Sequence, residues 1–451
     1  MSTQSPVTTS APAARPRPAR ADLPPSLPLP PIAQTAAWLF RPIPFLESAR
    51  RRIGPVFTMR LAGLPPIVAL SDPAAVREVF QGDPAVFHAG QANAVLRPIL
   101  GESSLLLLDG QRHQVERKLM TPAFHGERMQ AYGSLMRERA DAAIDRWPLG
   151  RRFSLHKEMQ DITLDVILRA VFGLDDGERQ GALRAALVSL LSLGEHPALL
   201  LLIGPGGQLR GGRLHEMLGP WSPWRPLEST VQRVDDVLRV EIARRRASAK
   251  EGTDVLSMLL AARDEEGRGL DDAQLVDEMK TLLVAGHETT ATALTWTMLE
   301  RIGNPALTQD TSDEHLDAIA KESLRLHPVV PMIGRQLQAP ARVGGRTYPA
   351  GTVLAPNIYL SHREPSAWPD PTRFDPRRFL GTKPSPYEYF PFGGGPRRCI
   401  GMAFAYFEMR VVLRQILTRT RLELAPGYRP RLTRRGITFA VSEGLPVVRR
   451  A

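Results

Sequence analysis

The chain has 451 residues, 43% of them hydrophobic and 23% charged, with a formal net charge of +11. That composition suits a globular protein able to bury a large core, and Cys399, the single cysteine, excludes an internal disulfide. There is no run near the roughly 18 unbroken apolar residues of a membrane span, no signal-peptide pattern at the N-terminus, and no clustering of arginine with exposed aromatics to favour nucleic acid, so the chain is expected to be soluble and cytoplasmic.

Residues 1–31 are rich in Pro, Ala and Ser and read as a disordered tail. Length alone allows about three domains, but no linker-like break or fixed repeat follows, so residues 32–451 are expected to form a single large domain. PPIVALSDPAAVREVF, Pro65 to Phe80, predicts a short strand, a turn at Ser71 to Pro73 and a helix. Helical periodicity covers Glu127 to Asp145, Met159 to Phe172, Val231 to Ser248, Asp272 to Ile302, His315 to Leu326 and Met402 to Thr418. RTYPAGTVLAPNIYLSHR, from Arg346, sets β-branched runs between Pro and Gly turns. The class is mainly α with a minor β part.

The helix expected from Asp272 to Ile302 is free of proline and carries apolar residues at Leu275, Met279, Leu282, Leu283, Leu294, Met298 and Ile302, as a core-crossing helix would. Asp271 or Asp272 stands where an N-cap belongs, with Leu270 as the staple residue. AGHETTA, Ala285 to Ala291, interrupts this pattern. A mid-helix glycine costs about 1 kcal/mol relative to alanine, and Glu288, Thr289 and Thr290 are polar in a helix patterned for burial. Read alone, the stretch is either a functional site or close helix packing at Gly286 with its polar residues in water.

FGGGPRRCIG, Phe392 to Gly401, surrounds the lone thiol. A zinc site needs several Cys or His ligands at short spacing, and His287-Glu288 meets Ala291 where a second histidine would be required. A cysteine nucleophile needs a base, and no histidine is near in sequence. An inert buried cysteine leaves Gly393, Gly394, Gly395, Arg397 and Arg398 unexplained. Glycines let backbone approach a large flat ligand, and the helix starting near Gly401 brings its positive end to the sulfur. Together these features describe a metal-bound thiolate on the face of a haem.

FGGGPRRCIG resembles the haem-binding signature of the cytochrome P-450 superfamily of haem-thiolate monooxygenases, with Phe392, Gly393, Gly395, Arg397, Cys399 and Gly401 at matching positions. AGHETT resembles the family's oxygen-activating segment, and KESLRLHP its Glu-x-x-Arg helix. The motifs stand in the family's order, over nearly the whole chain after the tail. The resemblance implies the cytochrome P-450 fold, a single haem domain of the soluble bacterial type holding haem b (iron protoporphyrin IX), with Cys399 as the iron ligand. It also implies that Phe392 and Gly286 border the haem and that His113, Arg117, Arg335 and Arg397 engage its propionates. Glu322, Arg325 and Arg378 would form a buried structural network.

By the same resemblance, Glu288 and Thr289 are the acid-alcohol pair that delivers protons to bound O2, and Gly286 leaves room for it. The implied reaction is hydroxylation, one oxygen atom of O2 entering a fatty acid or a terpenoid or steroid-like molecule. Leu283, Val330 and Met332 are expected to touch this small hydrophobic substrate, within the apolar segments 87–108, 193–204, 281–286, 329–333 and 436–440. No Gly-x-Gly-x-x-Gly follows a strand, so electrons are expected from a separate ferredoxin and ferredoxin reductase. Arg112, Lys118, Arg397, Arg398 and Arg410 would suit an acidic partner. A monomer is expected. The alternative is a non-catalytic haem-binding sensor, which would have no need of Glu288 with Thr289.

Overall fold

The computed structural model describes residues 23–124, 128–173, 177–194, 217–222, 224–248, 252–307 and 309–451. Helices of nine or more residues are α1 (Pro31–Phe40), α2 (Pro42–Ile53), α3 (Pro73–Gln81), α4 (Gly110–Met120), α5 (Arg128–Arg146), α6 (Leu155–Phe172), α7 (Glu178–Gly194), α8 (Arg225–Ala247), α9 (Asp272–Gly303), α10 (Asp313–Leu326) and α11 (Met402–Arg419). The helices expected from periodicity are present, with ends displaced by a few residues where caps decide them. At α6, Ser154 is the N-cap, accepting from the Lys157 amide at 3.4 Å, so the helix begins four residues before the expected Met159.

α9 runs 32 residues through the core. Asp271 starts it with a capping box, its carboxylate accepting from the Gln274 amide at 2.8 Å while the Gln274 side chain accepts from the Asp271 amide at 2.9 Å. Leu275, Met279, Leu283, Leu294 and Met298 join the main hydrophobic core with residues of α5, α6, α10 and α11. Each such side chain contributes about 1.5–3 kcal/mol when fully buried. A helix buried on all sides loses the one-sided pattern of a surface helix, which is why α9 can carry polar residues at mid-length without exposing an apolar face elsewhere.

A five-stranded sheet packs beside these helices. Its strands are β1 (Val56–Met59), β2 (Ile67–Leu70), β3 (Phe87–His88), β4 (Arg335–Leu337) and β5 (Val353–Pro356), in the order β1-β2-β5-β4-β3. β2 and β5 run parallel and the other pairs antiparallel. The sheet fixes Arg335 at the first position of β4, beside the segment that leads into α4. A hairpin of Leu432–Arg435 with Thr438–Val441 lies elsewhere against the helices.

Part of the expected tail is structured. Leu23 and Leu27 are buried, and the Thr58 hydroxyl donates to the Pro24 carbonyl at 2.6 Å. The packed chain therefore begins by residue 23; residues 1–22 lie outside the described residues. α1 and α2 follow with Pro31 and Pro42 in their first turns. Proline is tolerated there because the first amides of a helix have no intrahelical acceptor, so proline-rich composition concealed both helices. Among the described residues, no helix is long and apolar enough to cross a membrane.

Candidate haem-thiolate site

The loop around Cys399 is closed by its own backbone. Gly393 and Gly395 adopt φ of +71° and +63°, a region other residues rarely occupy, and the Cys399 amide donates to the Phe392 carbonyl at 2.9 Å. The glycines were expected to admit a ligand, but two of them admit α3 instead. A Cβ on Gly394 would stand 2.2 Å from the Phe80 ring, and one on Gly395 2.4 Å from the Phe80 carbonyl oxygen. The Phe392 ring meets Tyr406 edge-on at 5.0 Å.

The Gly401 amide lies beside the sulfur, just before α11. Burial pushes the Cys399 thiol up, and that amide, Arg117 and Arg398 oppose the shift. Protein thus surrounds the residue closely enough to desolvate it, yet its side chain keeps accessible surface. Both facts hold together when the exposed sulfur face looks onto an internal space rather than onto bulk water.

Cationic groups converge close by. His113 and Arg117 stand one turn apart on α4, and His113, Arg335 and Arg397 line one cleft together with Gln114. Burial, then the charges of Arg397, Arg117 and Arg335, drive His113 down to about 3. Burial, then Arg397, lowers Arg335 to about 10 against the pull of Asp109. Arg335, 6% exposed, has only the Gly334 and Gly394 carbonyls as hydrogen-bond acceptors among the described residues, at 2.9 and 3.3 Å. Arg397 is held by Asp109 and by the carbonyls of Leu105 and Leu108. Asp109 is itself shared with the amides of Gly90 and Gln91, at 2.9 and 3.0 Å. Arg335 and Arg397 beside one carboxylate, with Arg117 acting on Arg397, leave positive charge that the two carboxylates of a haem edge would neutralise. The residues present fit that group.

At mid-α9, Ala285 is the one exposed residue between Leu275 and Met298, so accessible surface reaches the core helix at the AGHETTA segment. The Thr289 hydroxyl donates to the Ala285 carbonyl at 2.6 Å, and Thr290 donates to Gly286 at 2.9 Å. Gly286 faces Ile167 of α6. A Cβ there would stand 3.1 Å from Ile167 Cδ1, so the missing side chain serves the close approach of α6 to α9.

Glu288 turns toward α6. Its Oε2 accepts from Gln160 Nε2 at 2.7 Å, and Oε1 accepts from Thr292 at 3.3 Å and lies 3.3 Å from His156 Nε2. Burial pushes the carboxyl up, but His156, Gln160 and His287 outweigh it and hold Glu288 at about 2. His156 Nδ1 is 3.1 Å from Thr295 Oγ1, whose own proton goes to the Ala291 carbonyl at 2.7 Å. Thr295 must therefore accept from Nδ1–H, which turns Nε2 toward the carboxylate. At 3.3 Å this is an ion-pair contact short of an aligned hydrogen bond. Sequence reasoning missed His156 and Gln160, although a polar pair four apart near the start of a core helix was the available signal.

Glu322 and Arg325 are fully buried and paired bidentately, at 2.7 and 2.8 Å. Arg325 also donates to the carbonyls of His362, Pro371 and Arg373, while Glu322 accepts from the Asp375 amide at 2.8 Å and lies 3.4 Å from Arg378 Nε. These three are brought together as expected. The expected substrate contacts are not. Leu283 is 1% exposed within the main core, whereas Met332 packs with Trp38 and Phe439 in a separate cluster, and Val330 is half-buried. Segment 193–204 lies almost wholly outside the described residues. The basic patch is largely neutralised, with Arg112 on Glu116, Lys118 on Glu265, Arg397 on Asp109 and Arg410 on Asp317. Arg398 remains exposed.

Comparison with known proteins agrees with this geometry. The family model described as Cytochrome P450 matches residues 24–316 and 314–445. "Putative cytochrome P450 135B1" of Mycobacterium tuberculosis is 43% identical over 428 residues, covering 91% of this chain and 88% of that one. "Putative cytochrome P450 135A1" of the same species is 36% identical over 410 residues, covering 88% of each chain. Among solved structures, retinoic acid bound cyanobacterial CYP120A1 superposes with a TM-score of 0.80 at 25% identity, covering 95% of this chain and 99% of that one. With its thiol loop, cationic cluster and long central helix in the fold these proteins share, the chain belongs to the cytochrome P450 family of haem monooxygenases.

Proposed function

We propose that the protein uses haem b and electrons from a separate ferredoxin to hydroxylate a small apolar molecule. The observation that carries this reading is the lone thiol, desolvated beside the Gly401 amide yet accessible, with a cationic cluster nearby. Support for an apolar substrate comes from the apolar segments around Ala285 and from a related structure that holds retinoic acid, an apolar carboxylic acid. Support for a separate electron donor is negative charge steering toward a chain of net charge +11 with Arg398 exposed beside the thiol.

Haem, when bound, supplies dioxygen activation and oxygen insertion. Cys399 would hold its iron, with the Gly401 amide and Arg117 stabilising negative charge on the sulfur. His113, Arg117, Arg335 and Arg397 would hold the propionates. Thr289, anchored on the Ala285 carbonyl, holds a hydroxyl at the segment where surface reaches α9. Glu288, held ionised by His156 and Gln160, is the carboxylate nearest to Thr289 in sequence. To relay a proton it must leave Gln160, turn from α6 and take one up, so the clamp sets how readily it delivers.

The test is spectroscopic. The reduced carbon monoxide complex is expected to show the strongly red-shifted Soret band of thiolate ligation, and Cys399→His to lose it. A wild-type protein that takes up haem yet gives only a histidine-type spectrum would overturn the assignment. Spectral shifts on adding fatty acids or terpenoids then distinguish the substrate classes.

A further inference from the structure

We propose that α1 and the two turns packed beside it form a docking surface for an anionic lipid bilayer. α1 buries Trp38 and Leu39 in the core yet leaves a second apolar face uncovered. Its polar residues face the protein, where Gln34, 1% exposed, donates to the Leu29 carbonyl at 2.9 Å and accepts from the Arg60 amide at 3.0 Å. The Thr35 hydroxyl accepts from the Ala62 amide at 2.8 Å. On the outward face Ile32 is 76% exposed and Phe40 69% exposed, with Ala36 between them at the four-residue spacing that shares a helix face. The turn held by Thr35 adds Leu64, and the 432–441 hairpin, tied to α1 by Arg434 donating to the Trp38 carbonyl at 3.0 Å, adds Ile437.

The charge around this face identifies the occupant. Pro28 to Arg60 contains five arginines, Arg41, Arg50, Arg51, Arg52 and Arg60, and a single carboxylate, Glu47, which accepts from the Tyr359 hydroxyl at 2.9 Å. Arg41 and Arg52 are exposed. An outward apolar helix face flanked by arginine matches an interfacial helix on anionic lipid, with the apolar groups among acyl chains and the guanidiniums at headgroup phosphates. A second copy is a poorer occupant, because two-fold pairing would set the same arginines against each other. Residues 1–22 are poorer still, since Met1 and Val7 are their only large apolar residues and Arg15, Arg17 and Arg20 add positive charge. Resting on the apolar-substrate reading above, such docking would place the enzyme where its substrate dissolves.

The experiment uses the full-length holoprotein and sedimentation with phosphatidylcholine vesicles, with and without phosphatidylglycerol. The protein is expected to sediment with the anionic vesicles, less so in high salt. Ile32→Asp with Phe40→Asp should weaken binding about tenfold or more and leave the carbon monoxide spectrum unchanged. Arg41→Gln with Arg52→Gln should reduce the preference for phosphatidylglycerol. Failure to bind either vesicle overturns the proposal, as does unaltered binding by the Ile32 and Phe40 variant. So does a dimer that this variant dissociates without any vesicle binding, or binding that appears only once residues 1–22 are removed. Loss of the thiolate spectrum with vesicle binding intact would instead count against the haem reading alone.

Discussion

His287 carries a cost that depends on acidity. It is 2% exposed on α9, with Nδ1 unpartnered, and burial lowers it from 6.5 to about 4 despite the opposing charge of Glu288. Because the folded value lies below the unfolded one, the unfolded chain binds a proton that the native state refuses. Stability is full above pH 6.5 and falls as the pH drops toward 4. At about 1.4 kcal/mol per unit the loss reaches roughly 3 kcal/mol. His287→Gln should flatten this slope, as read from urea midpoints of both proteins across that range; parallel slopes would show that another group titrates. Glu288→Gln should lower turnover roughly 10²-fold at unchanged substrate affinity, because Gln keeps the shape but cannot take up and release a proton. Thr289→Ala should instead lower the ratio of product to reduced cofactor consumed. Glu288 and Thr289 stood out in the sequence because polar residues interrupt a core helix, while their acid-alcohol role is what the family resemblance implies. His156 was not, since a buried histidine on another helix acquires its partner only through packing.

Among the elements, α10 shows how a short helix can organise a loop region. Arg325 spends its donors on Glu322 and on carbonyls from His362, Pro371 and Arg373, so one guanidinium collects backbone groups that form no regular ladder. Glu322→Ala would leave that buried cation unpaired and should destabilise the protein by ~3–5 kcal/mol, measured as a lower thermal midpoint and faster haem loss. A midpoint equal to wild type would mean that water replaces the carboxylate. Helices with a periodic apolar pattern were legible to within a few residues. α1 and α2 were not, because proline in a first turn and proline in a tail look alike until packing distinguishes them. Gly286 stood out in the sequence, which shows that a side chain is missing but not that Ile167 packs against the gap.

In the whole molecule, the family and the mainly helical architecture were legible from three motifs in order. The substrate-facing surface was not, because apolar segments that line a ligand and those that fill a core have the same composition. Leu283 belongs to the core. The cationic cluster joins parts of the chain that synthesis makes at different times, with His113 and Arg117 from α4, Arg335 from β4 and Arg397 from the thiol loop. Folding brings these like charges together, and Asp109 answers Arg397 and Arg335. Haem, with its two carboxylates, should therefore tighten this corner as it loads, read as slower amide exchange at α4, β4 and the thiol loop in the holoprotein than in the apoprotein; equal exchange in both would show that the cluster closes by itself.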